Sequence, residues 1–220
     1  MDYYGDESGQ FQALLSGEDQ CISHAVVEAS NGAVMSCSKR VVRDISDIPE
    51  AKWNSLREKD KRRFCDCLSD QYSANRAATV TVTKSDLEPL DASYLLYGDR
   101  LPYLPSIVYG GIAYGVLLAK LDIKSDPRPT FKFDRFYSQK QSQKLIDVTE
   151  SVCKVGEISS HNSRKVQGIQ TADCVAGASR EDRCKGTDWM TDLANSMHVD
   201  ASDYVLATLE KFLHEQSTGP

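Results

Sequence analysis

The chain opens in apolar segments of period two, interleaves them with segments of period 3.6, and closes in period 3.6 alone. Few architectures accept that order. Asp2–Gly5 and Phe11–Leu15 read as two strands separated by a turn at Glu7–Gly9. Cys21–Ala29 and Ala33–Val42 read as two more around Asn31–Gly32, because both central residues of a type I′ turn need positive φ. The opening is thus expected to be an antiparallel meander. Ile48–Pro49 starts a helix, with Glu50 in its first turn and Trp53, Leu56, Phe64, Leu68 and Tyr72 as an intermittent apolar stripe. The charged run 57–63, REKDKRR, is read as its solvated face, with an RNA or DNA contact as the alternative. AATVTVT (77–83) alternates as a β-branched strand, and PTFKFDRF (129–136) holds another. Helices are expected at Asp91–Gly98, Ser106–Leu121, Gln139–Lys154, Gln167–Asp182 and Ala201–Glu215, with a strand at Val155–Ser159. Gly110, Gly111 and Gly115 weaken the second of these helices, and close approach to a sheet is the expected compensation. Strands first, then alternation, then helices, argues for an α/β domain with a mixed sheet and helices on both faces. Residues 1–216 are read as a single domain and 217–220 as a disordered C-terminal tail.

Charge narrows the partners. The net charge of −6 excludes a strongly basic nucleic-acid tether. From Lys120 to Lys185, however, 13 Lys or Arg face 9 Asp or Glu, so an anionic ligand is repelled least there. Seven cysteines without a C-x-x-C spacing fit a disulfide framework poorly and are read as reduced, buried thiols. Cys65 and Cys67 lie two apart on a helix, point to different faces, and are no bidentate metal pair. The acidic start, MDYYGDESGQ, lacks the features of a signal peptide, and the longest apolar stretch, residues 107–119, is too short to cross a bilayer. A cytoplasmic protein without a membrane partner is expected.

Three acids stand where the local pattern favours something apolar. Asp6 ends the first strand, Asp134 sits near the end of the FKF strand, and Asp173 lies inside GIQTADCVAGA, a helix otherwise made of small and apolar residues. A carboxylate on a packed face costs several kcal/mol unless it is paired, protonated or metal-bound. Two carboxylates at strand ends and a third from a helix can converge on Mg²⁺ or Mn²⁺, which take oxygen ligands. Two such ions about 3.5–4 Å apart can serve a phosphoryl displacement. Each acid also has a plain structural reading: Asp6 as a turn acceptor, Asp134 as an ion pair with Arg135, and Asp173 as a partner of Arg180 or Lys165.

GDESG near the start, FKFD in mid-chain and IQTADCVAGASRED near the end resemble the family called Domain of Unknown Function 3800. The resemblance rests on D-E-S-G after a short strand and on Q-x-A-D-x-x-A-G, here Gln170, Ala172, Asp173, Ala176 and Gly177. It implies an RNase H-like fold, whose first three strands are antiparallel, and a metal-dependent nuclease-type acidic site. By motif, Asp6, Asp134 and Asp173 carry over as the catalytic and metal-holding acids. PEAKW (49–53) is similar to a Glu-x-Lys stretch of the family and makes Glu50 a candidate fourth acid. Gln10, after DESG, and Thr171 depart from the family pattern without removing an acid.

Glu7 is an accessory candidate, although strand alternation sends it to the face opposite Asp6. His161, in a loop, is a candidate proton shuttle at the site mouth. Arg164 and Lys165 are candidate phosphate contacts for a nucleic acid. Tyr94, Tyr97, Tyr103, Tyr109 and Tyr114 are read as core rather than as base-stacking platforms. The expected function is a Mg²⁺- or Mn²⁺-dependent nuclease or related phosphoryl-transfer enzyme acting on nucleic acid. The alternative is a non-catalytic module that keeps the RNase H-like fold and binds nucleic acid or a protein.

Overall fold

A computed structural model describes residues 1–29, 37–41, 50–71, 76–90, 104–123, 129–135, 138–191 and 198–217. Among the described residues one sheet runs in the order β5-β4-β1-β2-β3-β6. Its strands are β1 (Asp2–Ser8), β2 (Cys21–Ala29), β3 (Ala77–Thr83), β4 (Thr130–Asp134), β5 (Glu157–His161) and β6 (His198–Asp200). β1, β2 and β3 pair antiparallel; β4 runs parallel to β1, and β5 parallel to β4. β6 adds a parallel edge beyond β3. The mixed sheet of an RNase H-like α/β fold is therefore present.

The helices are α1 (Phe11–Ser16), α2 (Glu58–Gln71), α3 (Lys84–Leu87), α4 (Leu104–Lys120), α5 (Gln139–Val152), α6 (Gln167–Lys185) and α7 (Ser202–Ser217). Strand alternation sorts the side chains between two layers. Tyr3, Ile22, Val26, Phe131 and Phe133 face a core filled by Leu14, Ile112, Leu117, Leu145, Val205 and Leu209 of α1, α4, α5 and α7. Ala25, Val27 and Ala77 face the other way, toward Trp53, Phe64, Leu68 and the Val175–Ala176 region of α6. Asp6 and Asp134 share this second face. α6 is made of small residues because it lies almost on the sheet and on Trp53: a Cβ on Gly177 would stand 2.2 Å from Trp53 Cγ. None of the described helices is long and apolar enough to cross a membrane.

Several expected elements differ. Phe11–Leu15 belongs to a helix, not a strand: Phe11 and Leu14 are buried three apart, and Gly17, at φ 82°, caps the helix with its N–H on Ala13 and Leu14 carbonyls. Residues 37–41, expected in a strand, are helical, with Cys37, Ser38 and Val41 turned inward. The proposed Asn31–Gly32 turn, the helix at Asp91–Gly98, and Tyr94, Tyr97 and Tyr103 lie outside the described residues. Tyr109 and Tyr114 are core residues, as read. Gly111 and Gly115 do permit a close approach, but to α5 rather than to the sheet. A Cβ on either would meet Val148 or Val152 at 2.5–2.6 Å. The expected strand at Val155–Ser159 forms two residues later, as β5.

The thiols also differ from expectation. Cys21–Cys184 and Cys37–Cys67 are disulfides, and Cys65, Cys153 and Cys174 are buried and stand outside these two pairs. The first ties the start of β2 to the end of α6. The odd count merely leaves thiols over once two pairs have met in space.

Candidate active site

Parallel pairing of β1 with β4 sets Gly5 beside Phe133, so the next residues, Asp6 and Asp134, lie side by side where that pairing ends, β4 stopping at Asp134 and β1 running on to Ser8. α6 crosses above them and contributes Asp173. Asp6 is fully buried; Asp134 and Asp173 retain 7% and 9% of their surface. Each is held by backbone amides. Asp6 Oδ1 accepts the Glu7 N–H at 2.8 Å. Asp134 Oδ1 accepts the N–H groups of Arg135 and Ser163 at 2.8 and 2.9 Å. Asp173 Oδ2 accepts the Trp53 N–H at 2.7 Å.

Their remaining oxygens converge on one ammonium. Lys52 Nζ stands 3.6 Å from Asp6 Oδ2, 3.6 Å from Asp134 Oδ2 and 3.5 Å from Asp173 Oδ1. The lysine arrives on a non-helical segment, residues 50–52, with Lys52 itself in extended backbone, that leads into a 3-10 turn at Trp53–Ser55. The sequence reading had a helix here. The segment stays non-helical because α6 takes its amides: Ala51 N–H goes to Gln170 Oε1 at 3.1 Å and Trp53 N–H to Asp173. Gln170 in turn donates to the Ser163 carbonyl at 3.0 Å. Lys52, Gln170 and Ser163 had no assigned role in the sequence reading. The first two lay within quoted motifs; Ser163, in the turn before α6, carried no signal.

Three carboxylates around one ammonium cannot all be ionised cheaply. Burial, with the nearby Asp173 and Asp134 charges, raises the Asp6 pKa well above the ordinary carboxylate range, against the pull of Lys52. Burial likewise pushes Asp173 up to about 6, although Lys52 and the Trp53 amide oppose it. For Lys52, burial favours the neutral amine, but Asp6, Asp173, Asp134 and Glu50 together outweigh it and raise its pKa. The amine is therefore charged, and Asp6, the most deeply buried acid, is the one best suited to carry a shared proton.

The other candidates fall in three places. Glu50 sits at the rim, accepting from Ser163 Oγ at 3.2 Å and facing Arg164 Nε at 4.0 Å. Arg164 and Lys165 are exposed on the 3-10 turn Ser163–Lys165 beside it. His161 belongs to a strand, not a loop: it ends β5 in register with Asp134, and its Nε2 lies 2.9 Å from Ser159 Oγ. Glu7 is apart from the cluster, on the opposite face, where its carboxylate meets His24 Nε2 at 3.4 Å. The structural partners weighed for Asp173 do not serve it; Arg180 pairs with Asp19 instead.

Among the described residues, no group of three or more His, Cys, Asp or Glu side chains is arranged to hold a metal ion as it stands. The acids are spread around an ammonium, whose contacts are longer than the roughly 2.1 Å of a Mg²⁺–oxygen bond. The donor set nevertheless suits a hard cation. It is all carboxylate, and Asp6 Oδ2 is buried with no hydrogen-bond donor among the described residues. No protein-family model matches the chain, and no curated protein is similar to it, so the functional reading rests on these residues.

Proposed function

We propose that the protein is a divalent-metal-dependent nuclease, or a related phosphoryl-transfer enzyme, acting on nucleic acid through Asp6, Asp134 and Asp173. The observation that carries this reading is the convergence of three acids from β1, β4 and α6, one of them fully buried with an oxygen that no donor among the described residues satisfies. A structural role alone would not require three carboxylates at one point. Mg²⁺ or Mn²⁺ bound there would lower the pKa of an attacking water and hold a scissile phosphate. The backbone amides of Glu7, Ser163 and Trp53 fix one oxygen of each acid and leave the other turned inward. Arg164 and Lys165, exposed at the rim, suit phosphates of a bound strand, and Glu50 and His161 stand close enough in the fold to serve as accessory groups. Membership of the family named Domain of Unknown Function 3800 is part of the proposal and rests on the D-E-S-G and Q-x-A-D-x-x-A-G motifs. A cytoplasmic setting also belongs to the proposal, although the two disulfides suit an oxidising compartment better.

The test is a Mn²⁺ titration followed by thermal unfolding. Ion at 100 times its Kd stabilises by about 2.7 kcal/mol, or about 5–10 °C in Tm for a chain of this size. Asp6→Asn, Asp134→Asn and Asp173→Asn should each lose most of that shift, together with any cleavage of single- or double-stranded DNA, RNA or hybrid. A variant of this set that keeps full cleavage refutes the reading. Lys52 favours a second reading, the non-catalytic binding module: with its charge in place the acids form an internal ion cluster that needs no metal. On that reading no form of the protein responds to Mn²⁺, and the asparagine variants change stability alone.

A further inference from the structure

We propose that Lys52 serves as one of the cations of this site, its ammonium standing where a second divalent ion would, so that the acids hold a single divalent ion beside a retained lysine. The inference rests on the metal-dependent reading above and goes beyond it by assigning the number of ions and a role for a residue outside the acidic set. Three observations carry it. The first is position: Nζ is nearly equidistant, at 3.5–3.6 Å, from one oxygen of each acid. The second is anchoring. The amides on either side of Lys52 are bound by Gln170 and Asp173 of α6, and Trp53 is clamped against Gly177. The backbone that carries Lys52 is therefore held by the same helix that supplies an acid. The third is charge. Once a metal ion has displaced the shared proton, the three carboxylates and the ammonium carry a formal −2, which one divalent ion neutralises. Two ions with the lysine retained would leave +2 around a fully buried Asp6. Glu50, at the rim, adds a further negative charge that the exposed Arg164, 4.0 Å away, offsets only in part.

In a site with two ions, one would stabilise the attacking oxygen and the other the leaving oxygen of the displacement. The Lys52 ammonium supplies positive charge at one of these two positions. It is a positioning and electrostatic group here, and no transfer of its proton is needed.

The experiment is Mn²⁺ binding measured by calorimetry and by electron paramagnetic resonance on the unaltered protein, Lys52→Arg and Lys52→Met. The unaltered protein and Lys52→Arg should bind one Mn²⁺ per chain with the spectrum of an isolated ion. Lys52→Met should admit a second Mn²⁺ and show a spin-coupled pair. A spin-coupled pair in the unaltered protein overturns the role of Lys52 while leaving the metal-dependent reading intact. A single isolated ion in all three proteins overturns it as well, because removing the ammonium then opens no cation position. Absence of Mn²⁺ binding in every form overturns both this inference and the reading beneath it. The measurement on the unaltered protein stands even where Lys52→Met fails to fold.

Discussion

Glu181 offers a sharp test of how α6 is held over the sheet. Its carboxylate accepts Lys61 Nζ at 2.8 and 2.9 Å, Lys185 Nζ at 2.9 Å and Trp189 Nε1 at 3.0 Å. Burial alone would raise its pKa, but the two ammonium groups reverse that and bring it from 4.5 down to about 2. The folded value lies below the unfolded one. The stabilisation is therefore complete above about pH 4.5 and drains away as the pH falls toward 2. A gap of about 2.5 pH units at about 1.36 kcal/mol each gives roughly 3 kcal/mol. Lys185 is 63% exposed, so solvent screens its share and a value of about 2 kcal/mol is the safer expectation. Glu181→Gln keeps the shape, removes the charge and leaves the Lys61 ammonium, only 12% exposed, without its counter-charge. Urea unfolding of both proteins between pH 7 and pH 2.5 should show the variant about 2 kcal/mol less stable at pH 7, with the difference closing below pH 4.5. An equal difference at every pH refutes the reasoning, because the glutamate would then act through shape alone. The effect reaches the acidic cluster through Trp189, which packs edge-on against Trp53 with ring centroids 5.8 Å apart.

Two further perturbations test the frame around the acids. Gly177→Ala places a Cβ 2.2 Å from Trp53 Cγ, so Trp53 or α6 must move. Denaturant unfolding should show a loss of about 1–3 kcal/mol, and the Mn²⁺ shift should weaken, because the Trp53 amide orients Asp173 and the next residue back is Lys52. Replacing Cys37 and Cys67 together by Ser opens a crosslink between positions 30 apart in sequence. The loss should be about 3–4 kcal/mol in oxidising buffer and close to nil against the reduced parent, as read by unfolding with and without dithiothreitol.

The strongly periodic elements were legible from residue pattern: β2, β3, β4 and the long helices fall where alternation or helical spacing puts them, and the mixed sheet follows from their order. Asp6, Asp134 and Asp173 were legible as a set because each breaks an apolar pattern at a strand end or on a packed helix. Phe11–Leu15 was not. A five-residue segment with four apolar residues satisfies both periods, and a tertiary contact accompanies the helical choice, with Phe11 stacked on Tyr109 at a centroid distance of 4.3 Å. Glu7 was legible by alternation alone. Its partner, His24, is set by the pairing register of β1 with β2.

The segment carrying Lys52 shows why local signals can mislead at a candidate site. Pro49 and Glu50 read as a helix start, a preference worth about 0.3–1 kcal/mol for an acid in the first turn. Against it stand two long-range bonds, from the Ala51 and Trp53 amides to the side chains of Gln170 and Asp173, about 120 positions away in sequence. Were the segment helical, those buried acceptors would lose their donors at about 1–3 kcal/mol each, and more for the carboxylate. The tertiary contribution exceeds the local one, and the chain extends. Extension in turn aims Lys52 at the acids. Its position is thus a consequence of residues 170 and 173, and a local reading of residues 49–53 had no access to it.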